Sequence, residues 1–499
     1  MRKSKCILAI ASLGVISLAS CQAAPLDLEG KAPDYSSKSG EFITFAYASP
    51  TDGSYTENGI AMSTGEDYRT VERYREYKEA GLNTMLIQGN DPYNGEDFAT
   101  SQLKKNMDMC LEAGISRCIV FDSRIQKLSA SQTSLIGEGA KYATQEELNE
   151  YVSDCMKDYS EHDAFYGVMI LDEPTYKELP AFGEIYKAIK ANKDCYIEAN
   201  LLPFSENDVS RYTDKYASMS SEEAYQAYLD KYIECAAPDK ILMDSYPMRY
   251  DGTSYSIFST HLRGLQMLAN TAKRHGIAFE AVAQTYGATT NGAYKMATPT
   301  FSSMEWQMNA YMGFGVETFG YFTYWRKQNN SLSGEWFTDG TSYITQYGEK
   351  TNLYYAMQTI SEEMQDFAPV ITNFDYSASS SFVFAPVAYP TGFANMEEEE
   401  FALFDKDDIT ANSGSVALVT ELEDKSNDQK MYMVMNALDP DYKKDDQNIV
   451  MDYKIDFGTE YNAVAVYYRG ERYLKELDNG VYSSSLDAGY AEYIMPFKA

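Results

Sequence analysis

The chain has 499 residues, with 42 Lys+Arg against 74 Asp+Glu for a formal charge of −32, and 44% of it is hydrophobic. That is a globular composition, neither disordered nor collagen-like. The negative balance repels phosphate backbones, so no nucleic acid is expected as a partner, and an anionic polymer is disfavoured as a ligand unless a local basic cleft overrides the average.

In chain order, the first element is a targeting segment. Arg2, Lys3 and Lys5 form a positive start, and the apolar run from Ile7 to Leu18 is too short to span a membrane as a stable helix. The run ends in Leu18-Ala19-Ser20-Cys21, which resembles the bacterial lipobox, where cleavage before the cysteine is coupled to its lipidation. The resemblance implies a signal peptide over 1–20, lipidation at Cys21 and a mature chain tethered to the cell envelope by its lipid. Residues 21–40 read as a flexible tether. Without Cys6 and Cys21, five cysteines remain: Cys110, Cys118, Cys155, Cys195 and Cys235. An odd number in apolar patterns predicts buried free thiols.

Eight short apolar runs then alternate with amphipathic helices: 42–48, 82–88, 115–122, 165–173, 195–201, 241–246, 277–284 and 316–325. Their spacing of about 40 residues suits one β-α unit with its loops. Runs such as Val168-Met169-Ile170-Leu171 suit parallel strands covered on both faces. Gly81, Gly114, Gly276 and Gly315 each stop a helix just before a strand. Phe182, Ile185, Tyr186 and Ile189 make an apolar stripe at helical spacing. Eight units without a glycine-rich dinucleotide fingerprint predict a closed (β/α)8 barrel over 41–370 rather than an open doubly wound sheet. Beyond it, residues 376–499 carry period-2 runs at 415–422, 430–436, 452–457 and 463–468, separated by turn residues. They predict an antiparallel β-sandwich domain. The cluster Glu397-Glu398-Glu399-Glu400 reads as a solvated loop, with metal binding a distant second.

The chemistry of such barrels lies at the carboxyl ends of the strands. There the sequence offers Tyr47; Gln88, Asn90 and Asp91; Asp122 and Arg124; Asp172 and Glu173; Asn200; Asp244 and Tyr246; Gln284 and Tyr286; and Tyr324, Trp325 and Arg326. The three histidines, His162, His261 and His275, show no metal-ligand spacing, and His275 belongs to a helix end, Lys273-Arg274-His275-Gly276. With thiols and imidazoles absent from the rim, the chemistry falls to carboxylates, with no metal or organic cofactor needed. Amides and carboxylates suit sugar hydroxyls, and aromatic rings suit their apolar faces.

The sharpest motif is Gly167-Val168-Met169-Ile170-Leu171-Asp172-Glu173-Pro174, an apolar strand ending in two acids before a proline. Adjacent carboxylates repel, which raises one toward the range of a general acid. Asp172-Glu173 resembles the Asn-Glu pair ending the fourth strand of the retaining glycosidases of the large barrel clan, with Asp in place of Asn. It is also similar to the Asp-Glu pair of substrate-assisted β-N-acetylhexosaminidases. That second resemblance implies Asp172 orienting a substrate acetamide and Glu173 as general acid/base. The terminal stretch 489–496 resembles the last strand of sandwiches that follow glycosidase barrels. Clan enzymes place a nucleophilic glutamate at the end of the seventh strand, where this chain has Gln284; Glu280 lies four residues earlier, a barrel ion pair or a nucleophile only if that strand is short. Asp244 is a third candidate, as a second catalytic carboxylate, as base of an inverting mechanism or as a sugar-hydroxyl ligand. Tyr47, Gln88, Asn90, Asp122, Asn200, Tyr246, Gln284, Tyr286 and Trp325 are candidate substrate contacts, with Trp325 equally readable as a packed lid and Asp122 as half of an ion pair. The expectation is an exported, lipid-anchored glycoside hydrolase acting on a neutral or N-acetylated glycan. The alternative is a non-catalytic glycan-binding lipoprotein, which Gln284 favours.

Overall fold

A computed structural model describes residues 28–57, 60–87, 92–129, 133–250, 255–289, 295–326, 342–384, 396–441 and 450–499. The N-terminal segment with Cys21, and Gln88, Asn90 and Asp91, lie outside the described residues.

Eight parallel strands form the first layer: β1 (Ile43–Ala46), β2 (Met85–Ile87), β3 (Cys118–Phe121), β4 (Phe165–Met169), β5 (Tyr196–Glu198 and Asn200–Leu201), β6 (Lys240–Asp244), β7 (Ala278–Gln284) and β8 (Val316–Phe322). Each pairs with its sequence neighbour from β2 to β8, and β8 returns to pair with β1. Between β1 and β2 the backbone N–H groups of Asn83 and Thr84 both donate to the Thr44 carbonyl, at 3.1 and 3.0 Å. The ring is therefore a closed (β/α)8 barrel. Its interior is filled by Phe45, Tyr47, Leu86, Ile119, Met169, Leu242 and Val282, inward residues on or just beyond β1, β2, β3, β4, β6 and β7.

The principal helices on the outside are α1 (Val71–Glu79), α2 (Gln102–Glu112), α3 (Gln145–Met156), α4 (Leu179–Asn192), α5 (Ser221–Ala236), α6 (His261–His275), α7 (Phe301–Gly313) and α8 (Asn352–Ile371). The α4 stripe, Phe182, Ile185, Tyr186 and Ile189, is buried. Gly81, Gly114, Gly276 and Gly315 all have φ between 62° and 88°, the left-handed region a side chain disfavours. Basic Lys273, Arg274 and His275 occupy the last turn of α6, against the negative end of its dipole.

After α8 come β9 (Phe374–Val383), β10 (Ile409–Ala411), β11 (Val416–Asp424), β12 (Lys430–Asn436), β13 (Met451–Asp456), β14 (Ala463–Tyr468), β15 (Glu471–Glu476), β16 (Val481–Leu486) and β17 (Ala491–Phe497). They make two antiparallel sheets, β9-β11-β12-β17-β14-β15 and β10-β13-β16, packed over Val419, Tyr432, Val434, Tyr453, Ile455 and Ile494. This sandwich covers α7, whose residues from Ser303 to Gly313 are all buried. Trp306 Nε1 donates to the Ala437 carbonyl at 3.0 Å, and a Cβ on Gly313 would meet Met433 at 2.5 Å.

Two readings of the sequence change here. Residues 28–40 are not free tether, because a helical turn at Leu28–Lys31 and the following chain dock on the sandwich. Tyr35 is buried against Phe374, and its hydroxyl donates to Asp424 at 2.6 Å. The Glu397–Glu400 loop is not merely solvated: Glu397 pairs with Arg263 of α6 at 2.8 Å, and Glu399 accepts from Asn270, Tyr376 and Ser379. These acids clamp the sandwich to the barrel.

Candidate active site

The ladder of β4 stops at Met169, but the chain keeps its course along β5. Ile170 N–H donates to the Glu198 carbonyl and Glu173 N–H to the Asn200 carbonyl, both at 2.9 Å. Glu173 is thus delivered to the carboxyl end of the barrel, with φ of +48°, a left-handed conformation uncommon for a residue with a side chain. Its side chain is 34% exposed, and its Oε2 lies 3.2 Å from Arg211 Nη2, on a helical turn between β5 and α5. Burial, then the charge of Asp172, push the Glu173 carboxyl above its ordinary range; Arg211 pulls it part of the way back.

Asp172 is exposed and accepts a hydrogen bond from Asn200 Nδ2 at 2.8 Å. Asn200 is buried, as is Asp244 at the end of β6. Asp244 is held well above the usual carboxylate range, first by burial and then by the charges of Glu173 and Asp172, against hydrogen bonding from Tyr246 and Asn200. Three acids from the ends of β4 and β6 therefore share one electrostatic neighbourhood.

A fourth acid joins them. Glu198 sits two residues before Asn200, so both point into the barrel. It is fully buried and accepts a hydrogen bond from the Tyr47 hydroxyl. Burial first, and the Asp172 charge next, push it up to about 8. Neither Glu198 nor Arg211 stands out in the sequence; the signal that could have found Glu198 is its i, i+2 relation to Asn200.

An aromatic wall flanks the carboxyls. Tyr246 meets Tyr286 at 6.1 Å and Phe322 at 5.4 Å between ring centroids, and Phe322 meets Tyr286 at 5.0 Å and Tyr47 at 5.7 Å. Tyr286 and Tyr47 are nearly buried, whereas Tyr246 is half-buried.

Other residues expected at the rim are committed elsewhere. Gln284 is fully buried: its Oε1 accepts from Met248 N–H at 2.8 Å, and its Nε2 donates to the carbonyls of Ala297, Tyr286 and Met248. Its role is to tie backbone loops together, not to touch a ligand. Asp122 is buried in an ion pair with Arg124 at 2.7 Å, which also reaches Asp158. Trp325 is buried, its ring 4.8 Å from that of Tyr68, so it is a packed lid rather than an open platform. Glu280 pairs with Lys240 at 3.4 Å and accepts from the Tyr196 hydroxyl, inside a β7 that runs on to Gln284. It stands as the barrel ion pair. His261 is buried against Ser245 and depressed to about 3 by burial, which removes it from acid–base work near neutrality. Among the described residues no group of His, Cys, Asp and Glu is arranged to hold a metal ion.

No protein-family model matches the chain, and no curated protein sequence matches it. Solved structures similar to it include an α-amylase from Anoxybacillus, at 11% identity and a TM-score of 0.47, covering 92% of this chain and 98% of that one. A GH30 endoxylanase from Clostridium papyrosolvens is 12% identical with a TM-score of 0.40, covering 92% and 97%. A glucosidase from Croceicoccus marinus is 11% identical with a TM-score of 0.40, covering 93% and 96%. Likeness at this level leaves the activity to be argued from the chain's own side chains.

Proposed function

We propose that the chain is a glycoside hydrolase whose general acid/base is Glu173. The observation that carries this reading is the placement of Glu173 at the carboxyl end of β4, part-exposed, with its carboxyl raised by burial and by Asp172. A raised carboxyl is what a departing sugar oxygen needs: a proton donor.

The substrate-assisted route suits the residues better than a protein nucleophile. Glu280 is tied to Lys240 and Gln284 to the backbone, so β7 supplies no free carboxylate. In the assisted route, Glu173 gives its proton to the leaving oxygen while the acetamide oxygen of the sugar bonds to the anomeric carbon, and Asp172 accepts the amide N–H. Water then opens the cyclic intermediate, returning its proton to Glu173. Asp244 and Tyr246 shape the sugar subsite, and Asn200 holds Asp172 in place.

A panel of aryl glycosides with and without the 2-acetamido group tests both levels. Glu173→Gln is expected to lower kcat by about 10²–10⁴-fold. Cleavage of plain sugars with no cleavage of acetamido sugars removes the assisted route. The missing β7 nucleophile favours one second reading, a glycan-binding protein; it is the right one if no glycoside turns over and glycan binding survives Glu173→Gln.

The N-terminal sequence supports export and anchoring through Cys21. Cys21→Ser is expected to move the protein out of the membrane fraction of the producing cell; unchanged fractionation rejects the anchor.

A further inference from the structure

Glu198 has no part in the chemistry above, yet it is the most deeply placed acid of the cluster. Its side chain is fully buried, its Oε1 is held by the Tyr47 hydroxyl, and its Oε2 is buried with no hydrogen-bond partner among the described residues. That oxygen is closed off from bulk solvent. An ionised carboxylate with one oxygen sealed away from every donor is costly, and such a group neutralises instead. The charged and titratable groups around it are Tyr47 from β1, Asp172 beyond β4, Tyr196 on its own strand, Lys240 at the start of β6 and Glu280 on β7. Lys240 lowers the proton affinity of Glu198 through space but makes no ion pair with it: its ammonium lies 3.4 Å from Glu280 and 2.8 Å from the centroid of the Tyr196 ring, and burial with the Asp172 charge outweighs it.

We infer that Glu198 is a positioning residue that works as a neutral acid: anchored by Tyr47 beneath the site, it leaves the negative charge on Asp172, which is then able to accept the substrate's amide N–H. The inference rests on the reading of Asp172 given above. Its physical content is a division of labour between two neighbouring carboxyls. If Glu198 ionised, its field would favour a proton on Asp172, and a protonated Asp172 no longer offers two accepting oxygens. Burial and the Asp172 charge hold Glu198 up to about 8, in line with that order of ionisation. Donation from Tyr47 works the other way, so the anchor sets how far the carboxyl rises.

Two experiments on the full chain test it. The first needs no substrate: an infrared difference spectrum of wild type minus Glu198→Gln at about pH 7. A band from a protonated carboxyl is expected; a difference made only of ionised carboxylate bands overturns the inference. The second is the pH profile of kcat/KM on an aryl 2-acetamido glycoside. Glu198→Gln, an uncharged acid mimic, is expected to keep the plateau within about threefold and to lose the alkaline component near pH 8. A drop in kcat of about 100-fold or more at every pH, or an unchanged alkaline limb, overturns it. If the Gln variant does not fold, Tyr47→Phe removes the anchoring donor and is expected to move the alkaline component to higher pH; a limb that stays put overturns the inference. Absence of turnover by wild type on every acetamido sugar counts against the assisted reading, while the infrared result still decides the charge of Glu198.

Discussion

Arg211 Nη2 and Glu173 Oε2 meet at 3.2 Å at the carboxyl end of the barrel, with side chains 39% and 34% exposed. The pair is open to solvent and so is weak enough for a ligand to rearrange. It is also the largest influence lowering the proton affinity of Glu173. Removing it has a definite sign: in Arg211→Met the Glu173 carboxyl rises further, and the alkaline limb of kcat/KM moves to higher pH. A pH–rate profile of the two proteins on one aryl glycoside checks this, and a limb that fails to move means that the guanidinium does not act on the acid.

Gln284 gives a prediction about stability rather than binding. Gln284→Leu leaves the Met248 N–H and the carbonyls of Met248, Tyr286 and Ala297 without their side-chain partner. Each buried group left unpaired costs about 1–3 kcal/mol, so a loss of at least 3 kcal/mol is expected from denaturant midpoints. A ligand contact would instead raise KM and leave the midpoint where it was.

The junction between barrel and sandwich holds a second displaced carboxyl. Glu305 of α7 is buried beside Glu363 of α8 and 3.8 Å from Arg469 of the sandwich, and burial with the Glu363 charge pushes it up to about 8 from an ordinary 4.5. A folded value above the unfolded one gives stability that is complete below about pH 4.5 and is lost as pH rises through about 8. Glu198 acts with the same sign. Thermal unfolding at pH 6 to 9 should therefore show a falling Tm, with a shallower fall in Glu305→Gln. Parallel curves for the two proteins would show that Glu305 keeps its charge in the fold.

The five described cysteines are free, three of them buried. Tm measured with and without a thiol reductant should agree to within the error of the scan. A lower Tm in reductant would point to a disulfide.

How much of this was legible in the sequence can be argued residue by residue. Strand–helix alternation and the glycine stops were readable because each is local: Gly276 ends α6 in the left-handed conformation on its own account. Asp172-Glu173 was readable because two acids ending an apolar run violate the pattern around them. Glu198 was not, because a single acid inside the run 195–201 looks like a face change until the ring closes and shows which side is inward. Gln284 was placed correctly at a strand end but misjudged in exposure, while for Asp122 and Trp325 the sequence left the ion pair and the packed lid open beside a ligand contact, and the fold takes the former. What covers them comes from elsewhere in the fold: Met248 and Ala297 over Gln284, Arg124 over Asp122, Tyr68 over Trp325. Strand position fixes where a side chain starts, not what arrives above it.

Because α7 meets protein on every side, the two domains cannot be treated as separable cassettes. Cutting the gene after α8 would strip the cover from Trp306, Met308 and Met312 and leave Arg263, Gln266 and Asn270 of α6 facing water where they now grip the C-terminal half. A recombinant barrel made that way should be insoluble or misassembled, so any assay of the carboxylates has to be run on the intact polypeptide.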